Sequence, residues 1–348
     1  MVTDARAENA VPRNADGRPG TEFGSINAGY DSVFRSGRLS LGLVVPLEGY
    51  PNTSVPSLER HLERAQLAEE LGFSALWLRD VPFHVPSFGD AGQLFDPFVY
   101  LGFLAGRTQR IALGVASLVL PLRHPGHVAK AAASVDVLSG GRLILGVASG
   151  DRPEEYPAMA LPFEERGASF RASYDYIRSM ADSFPVVENA YGSAKGAIDM
   201  LPKPAGARLP LLVTGGSQQD ADWLARHGDG WMVYPRDVAT QARVIGGWRA
   251  RVAAAGRTDK PVMQPLYVDL ADDPNAPPTP IHLGFRLGER PLVEHLRSLR
   301  RVGVNHVALN LRFQRGGVEV ALRRLAREVL PELEHGHEHA MAQASTDA

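Results

Sequence analysis

Six short segments carry side chains whose types and spacing could do chemistry. In Thr214-Gly215-Gly216-Ser217-Gln218-Gln219-Asp220, two glycines stand just ahead of a helix predicted to start at Ser217. Glycine lets backbone amides approach a ligand and a helix N-terminus adds partial positive charge, so this segment suits a phosphate. The same residues also read as a capping box, with Ser217 as N-cap and Asp220 three positions on. Ser149-Gly150-Asp151-Arg152, with Tyr156 close behind, offers small donors to a phosphate or a polyol chain, and Asp151 or Arg152 could set orientation. It reads equally as a polar loop. Ala116-Ser117 is either a plain strand end or a place where small residues leave room for a flat ring, and His124 is either a helix-opening residue or a site residue. Asp80 and His84 share one strand end, where a carboxylate and an imidazole can move protons near neutral pH. Asn310 shares a strand face with His306 and Ala308, placed to hold a ligand or to satisfy a neighbour's backbone. The alternating His335, His337, Glu338 and His339 lie in a polar C-terminal stretch that reads as an adventitious metal binder, so no metal site is expected.

These segments are useful only if the fold gathers them. Short apolar runs at Leu39–Pro46, Ser74–Leu78, Arg110–Leu118, Arg142–Ala148, Pro210–Val213, Gly230–Tyr234, Val262–Leu270 and Val304–Leu311 read as buried strands. Between them lie helical spacings, such as Phe170, Tyr174, Ile177 and Ala181, and stop signals such as Gly140-Gly141. Val186–Leu209 breaks the alternation and reads as an insertion with a hairpin. About eight strand–helix units predict an α/β fold, a (β/α)8 TIM barrel with insertions, whose site lies where strands end and loops begin. The Gly- and Pro-rich stretches Val81–Leu94 and Ala271–Leu287 are candidate lids. The expected organisation is a mobile tail over 1–36, one barrel domain over 37–333, and a disordered tail over 334–348.

Composition narrows the partners. The 348 residues carry 37 basic and 39 acidic side chains, a formal net charge of −2, which gives no field for nucleic acid or an anionic membrane. With no cysteine, disulfides, thiolate metal sites and cysteine nucleophiles drop out. The longest apolar runs fall far short of the roughly 20 residues of a membrane span, and the N-terminus lacks the apolar core of a signal peptide. A cytoplasmic protein acting on a small molecule is the expectation. The P-loop, HExxH, GxSxG and dinucleotide fingerprints do not occur.

The stretch from Asp96 to Gly150, with its RHP helix start and VDVLSGGR helix stop, closely resembles the luciferase-like monooxygenase family. The likeness extends through GFSALWLRD on one side and LPLLVTGGSQQDADWLARHGDGW on the other, covering about residues 38–330. It implies reduced FMN as cofactor, supplied by a separate flavin reductase, dioxygen as co-substrate, a small organic substrate, and a homodimer. It also implies that Asp80 and Ser117 line the isoalloxazine pocket, that Ser149, Gly150 and Tyr156 approach the ribityl phosphate, and that Gly215, Gly216 and Ser217 complete the phosphate site. His84 is the positional candidate for a catalytic histidine, although the Pro-rich loop around it departs from the family pattern. The reactive cysteine that some members carry is missing. Two further readings stay open: a flavin or deazaflavin enzyme that moves hydride without oxygen, and a flavin-binding protein without turnover.

Overall fold

The computed structural model describes residues 23–334. Eight parallel strands close on themselves: β1 (Ser40–Val44), β2 (Ala75–Leu78), β3 (Ala112–Val119), β4 (Leu143–Ala148), β5 (Leu211–Thr214), β6 (Gly230–Met232), β7 (Val262–Leu270) and β8 (His306–Asn310). Neighbours run in chain order, β8 returns to β1, and the pairings Trp231↔Val262 and Met232↔Met263 join β6 to β7, so the eight strands form a closed barrel. The helices on the outside follow from capping and periodicity. Asp96 and Asp237 cap the helices Pro97–Ala105 and Val238–Ala254 through their side chains, and Gly140 and Gly141, both at positive φ, follow the end of Pro125–Leu138. The expected insertion is an antiparallel hairpin, Val186–Asn189 with Gly192–Lys195. Of the two candidate lids, Ala271–Leu287 ends in strand Gly284–Leu287, which pairs with β7, and Val81–Leu94 is pinned by Gln93, which accepts a hydrogen bond from the Arg79 amide at 2.8 Å. Among the described residues no helix is long and apolar enough to cross a membrane.

Strand alternation sorts side chains between two compartments. One faces the outer helices. The other fills the barrel, where Val44, Trp77, Ala112, Ile144, Leu212, Met232, Met263 and Ala308 pack with Ile26, Tyr30, Val33 and Phe34. Those last four residues correct the expectation of a mobile tail over 1–36. The part of it that is described carries a helix, Ala28–Val33, whose apolar face plugs the barrel bottom; residues 1–22, and the His335–His339 stretch, lie outside the described residues. Tyr30 donates its hydroxyl to the Asp229 carbonyl at 2.8 Å, Asn27 donates to the Leu143 carbonyl at 2.8 Å, and the Gly29 amide reaches the Gly141 carbonyl at 2.8 Å. Gly29 is needed there, because a Cβ would stand 2.6 Å from the Arg142 carbonyl oxygen.

The interior also holds one buried imidazole, His306, with no exposed surface. Trp77 Nε1, which can only donate, lies 2.8 Å from His306 Nε2, so the ring proton sits on Nδ1 and is given to Ser40 Oγ at 2.7 Å. Ser40 in turn donates to the Val33 carbonyl at 2.7 Å. Burial pushes the imidazole down to about 3, which keeps it neutral and preserves this direction.

Replacing Tyr30 by Ala removes a plug residue that is 2% exposed and orphans the Asp229 carbonyl. The expected loss is about 3–5 kcal/mol, measurable as a lower midpoint of urea unfolding; an unchanged midpoint would mean that the helix is not part of the cooperative core.

Candidate active site

Above the filled half, strand residues regain partial exposure at Ala116, Ser117, Ala148, Thr214, Pro265 and Tyr267, which marks an open mouth at the strand C-termini. β3 has a register shift between Val115 and Leu118, and such a bulge re-aims side chains. The Ala116-Ser117 peptide within it is cis. Ser117 Oγ meets Thr214 Oγ1 of β5, and Thr214 lies 3.2 Å from Met232 Sδ, so two hydroxyls stand together over an apolar floor. Ser117 therefore stands at the mouth.

The glycine segment after β5 differs from its predicted form. The helix begins at Ala221, with Asp220 rather than Ser217 as N-cap, accepting from the Trp223 amide at 2.6 Å. Residues 215–219 are instead a turn in which Gly215, Ser217 and Gln218 all have positive φ. Ser217 Oγ donates to the Thr214 carbonyl at 2.8 Å and Trp231 Nε1 to the Gly215 carbonyl at 2.8 Å, which holds the turn from both sides. The amides of Gly216, Ser217 and Gln218 find no acceptor among the described residues. Successive free N–H groups of this kind form an anion-binding concavity. No heavy atom lies within 3.8 Å of the place where a Gly216 Cβ would stand.

The segment after β4 approaches the same turn. Gly150 has a φ of +78°, and a Cβ there would meet Val119 at 2.8 Å and the Tyr156 hydroxyl at 2.9 Å. Tyr156, expected to reach a phosphate, is buried and donates to the Ser149 carbonyl, so it braces the loop. Asp151 is exposed. Arg166, which sequence reasoning passed over, opens the next helix with its guanidinium 3.7 Å from the Phe163 ring and its buried Nε lacking a hydrogen-bond partner. Its charge acts on Tyr156, while the neighbouring Gly167 carbonyl accepts from Gln219 at 2.8 Å. The free amides belong to one loop, and the neighbouring loop that Gln219 ties to it carries Arg166, whose Nη1 donates to the Phe163 carbonyl at 2.9 Å; amides and a cation of this kind are the donors an oxyanion needs.

Three expected residues stand elsewhere. Asp80 was expected to line the ring pocket; its side chain is 1% exposed and tied up by Arg123 and the end of β3, while Ala75 and Trp77 hold the inward parity of β2. Its carboxylate is held bidentately by Arg123, at 2.8 and 3.1 Å, and by the Val119 amide at 3.0 Å. His84 is exposed on the loop beyond, without the Asp80 partnership that proton transfer would need. His124 is the N-cap of Pro125–Leu138: Nδ1 accepts from the Gly126 amide at 3.1 Å, so Nε2 carries the proton and faces the Tyr191 carbonyl at 3.3 Å. Both ring nitrogens are spent on structure. A cleft of about 290 Å³ runs beside these loops, walled by Val81, Leu94, Phe95, Leu122 and Met159, with the Asp80–Arg123 pair at its polar side.

The family model for luciferase-like monooxygenases matches residues 39–277. The chain belongs to the luciferase-like monooxygenase family. An uncharacterized protein of Mycobacterium tuberculosis is 33% identical over 234 residues, covering 60% of this chain and 79% of that one. Among solved structures, the monooxygenase RslO1 from Streptomyces bottropensis superposes with a TM-score of 0.70 at 20% identity, over 84% of this chain and 99% of that one. An F420-dependent secondary alcohol dehydrogenase, in complex with an F420-acetone adduct, does so equally, with a TM-score of 0.70 at 18% identity over 85% and 99%. At such identities the likeness is one of fold.

Under the Asp80–Arg123 pair, Glu155 is 2% exposed; burial raises its pKa to about 7, opposed by Arg152 and helped by the charges of Asp80 and Asp151. Its Oε1 lies 3.7 Å from Arg152 Nη1, too far for a hydrogen bond, and both atoms are otherwise unpartnered among the described residues. Because the native state holds the proton more tightly than the unfolded chain, Glu155 costs stability as pH rises from about 4.5 to 7. Glu155→Gln should match the wild type near pH 4 and exceed it above pH 7, by on the order of 2 kcal/mol, in thermal unfolding across that range; a difference independent of pH would refute the assignment.

Proposed function

We propose that the chain is an oxidoreductase that binds reduced FMN and uses dioxygen to oxidise a small organic substrate. The observation that carries this reading is the run of three unpaired amides, residues 216–218, in a turn beside the loop of Arg166 at the mouth of a luciferase-like barrel. A bound flavin would supply the two-electron reductant and its reactivity toward oxygen. The chain's share is geometric and electrostatic. The amides and Arg166 would hold the phosphate, and Ser117 and Thr214 would face the ring edge as small hydroxyl donors. The plug formed by Tyr30, Val33 and Phe34 seals the barrel from below, so water could enter only through the mouth. Reduced FMN would come from a separate reductase.

A second reading has support in the fold shared with the F420-dependent alcohol dehydrogenase: hydride transfer through a deazaflavin, without oxygen. Cofactor identity separates the two. Titration should give tighter binding of FMN than of F420, and the complex with reduced FMN should consume dioxygen without releasing an equal amount of hydrogen peroxide once substrate is present. Tighter binding of F420 would favour the second reading, and rapid NADH oxidation by the chain alone would remove the need for a reductase. Gly216→Val keeps the amide N–H but sets a branched side chain beside the cradle, so steric exclusion of the phosphate should weaken FMN binding by about tenfold or more, while leaving the melting temperature nearly unchanged, since its Cβ meets nothing closer than 3.8 Å. Equal FMN affinity in the variant would place the phosphate elsewhere.

A further inference from the structure

Opposite the phosphate cradle, the ends of β7, β8, β1 and β2 bring together Arg79, Tyr267, Arg312 and the loop residues Tyr50 and Asp90. Arg79 lies two residues beyond Trp77 and so shares its inward parity. The one carboxylate among them is saturated. Asp90 Oδ1 accepts from the Tyr50 hydroxyl at 3.0 Å and the Gly92 amide at 3.1 Å, while Oδ2 takes Arg79 Nη1 and faces Arg312 Nη1 at 3.4 Å. Burial opposes ionisation of Asp90, yet Arg79, the Gly92 amide and Arg312 hold its pKa below the usual carboxylate range. Two guanidinium groups on one carboxylate leave one positive charge.

That charge is not absorbed nearby. Asp269, further along β7, is already tied to Arg286 at 2.8 Å and Arg315 at 3.2 Å. Glu48, in the loop after β1, is spent on the amides of Ser57 and Leu58 at 2.8 and 2.9 Å. Arg79 keeps a side-chain exposure of 22%, and its Nε and second amino group have no acceptor among the described residues. The buried Nε of Arg312 is likewise unpartnered among them. Around the guanidinium groups stand aromatic surfaces: Arg312 lies over the rings of Tyr50 and Phe313 at 5.1 and 5.4 Å, and Tyr267 contacts Phe313 at 5.4 Å. The Tyr267 hydroxyl has no hydrogen-bond partner among the described residues and feels the charge of Arg79.

We propose that this wall of the mouth is the substrate subsite and that it selects a flat, apolar substrate bearing a carboxylate, with Arg79 as the planar fork and Tyr267 and Phe313 as the ring-facing sides. The inference rests on the reading of the mouth as a flavin-dependent catalytic site and assigns its substrate class. A guanidinium presents paired donors in one plane, which suits a carboxylate, and an excess positive charge inside a concave mouth draws an anion even though the whole chain carries −2.

The test uses 2-naphthoate and its neutral isostere 2-naphthamide, titrated calorimetrically into the full chain, with FMN titrated separately. The acid should bind at least about tenfold more tightly than the amide, and that preference should shrink as salt rises from about 0.05 to about 0.5 M. Arg79→Gln should bring acid and amide to parity with FMN affinity unchanged. The salt series on the wild type decides the matter even if the variant fails to fold. Equal affinity for acid and amide, binding of neither, or competitive displacement of the acid by FMN each overturns the inference. Selective acid binding by a chain that takes up no FMN would instead leave the subsite standing and overturn the cofactor reading.

Discussion

The neutral imidazole of His306 has a fixed direction. It accepts from Trp77 on β2, donates to Ser40 at the start of β1, and through that hydroxyl reaches the carbonyl of Val33 in the plug helix. Three strands and the N-terminal helix are thereby joined through a fully buried indole and imidazole and a half-buried hydroxyl, so the ring nitrogens would be expensive orphans if their partners moved. The consequences run upward. Because the lower half is filled and locked, the inward parity of every strand is fixed, and with it which residues emerge at the mouth: Thr214 on β5, Tyr267 on β7 and, one residue past β2, Arg79 in step with Trp77.

His306 and Glu155 also pull the pH dependence of stability in opposite directions. A histidine depressed to about 3 binds a proton mainly when unfolded, so its contribution is lost as pH falls below about 6.5. Glu155, raised to about 7, contributes with the opposite slope over nearly the same interval. The overlap tends to flatten the profile between about pH 4.5 and 6.5, so a flat wild-type curve there is the sum of two buried groups and not evidence that neither titrates.

How much of this was legible in the sequence depends on what kind of fact each feature is. The eight strands were, because a strand covered by helices on one face and by the barrel interior on the other has apolar residues at consecutive positions. The helix Ala28–Val33 was not: six residues of mixed polarity, AGYDSV, carry no periodicity, and their burial comes from a shape match to the barrel bottom. Asp80 and Arg79 show the limit within a strand. Adjacent residues face opposite compartments, and the run SALWLRD does not say which parity points inward; only the packing of Trp77 against the interior decides it. The turn after β5 shows a different limit. Ser217 and Asp220 are both good caps, and the choice of Asp220 follows from a backbone that turns left-handed through Ser217 and Gln218, residues that seldom adopt it.

The two walls of the mouth are built by different means, and the barrel's geometry explains why. After β4 and β5 the chain leaves in turns rich in glycine, so the available donors are backbone amides, fixed in place and present whichever side chain the position carries. After β7, β8, β1 and β2 the donors are long side chains anchored at a single carboxylate, Asp90, and held over aromatic rings. A backbone cradle suits a group that must stay the same, such as a phosphate shared across a family of enzymes. A side-chain wall can be rebuilt by changing one or two residues without disturbing the barrel beneath it. On the proposed reading, cofactor recognition would rest on the backbone that the barrel dictates and substrate recognition on side chains that can be exchanged above it.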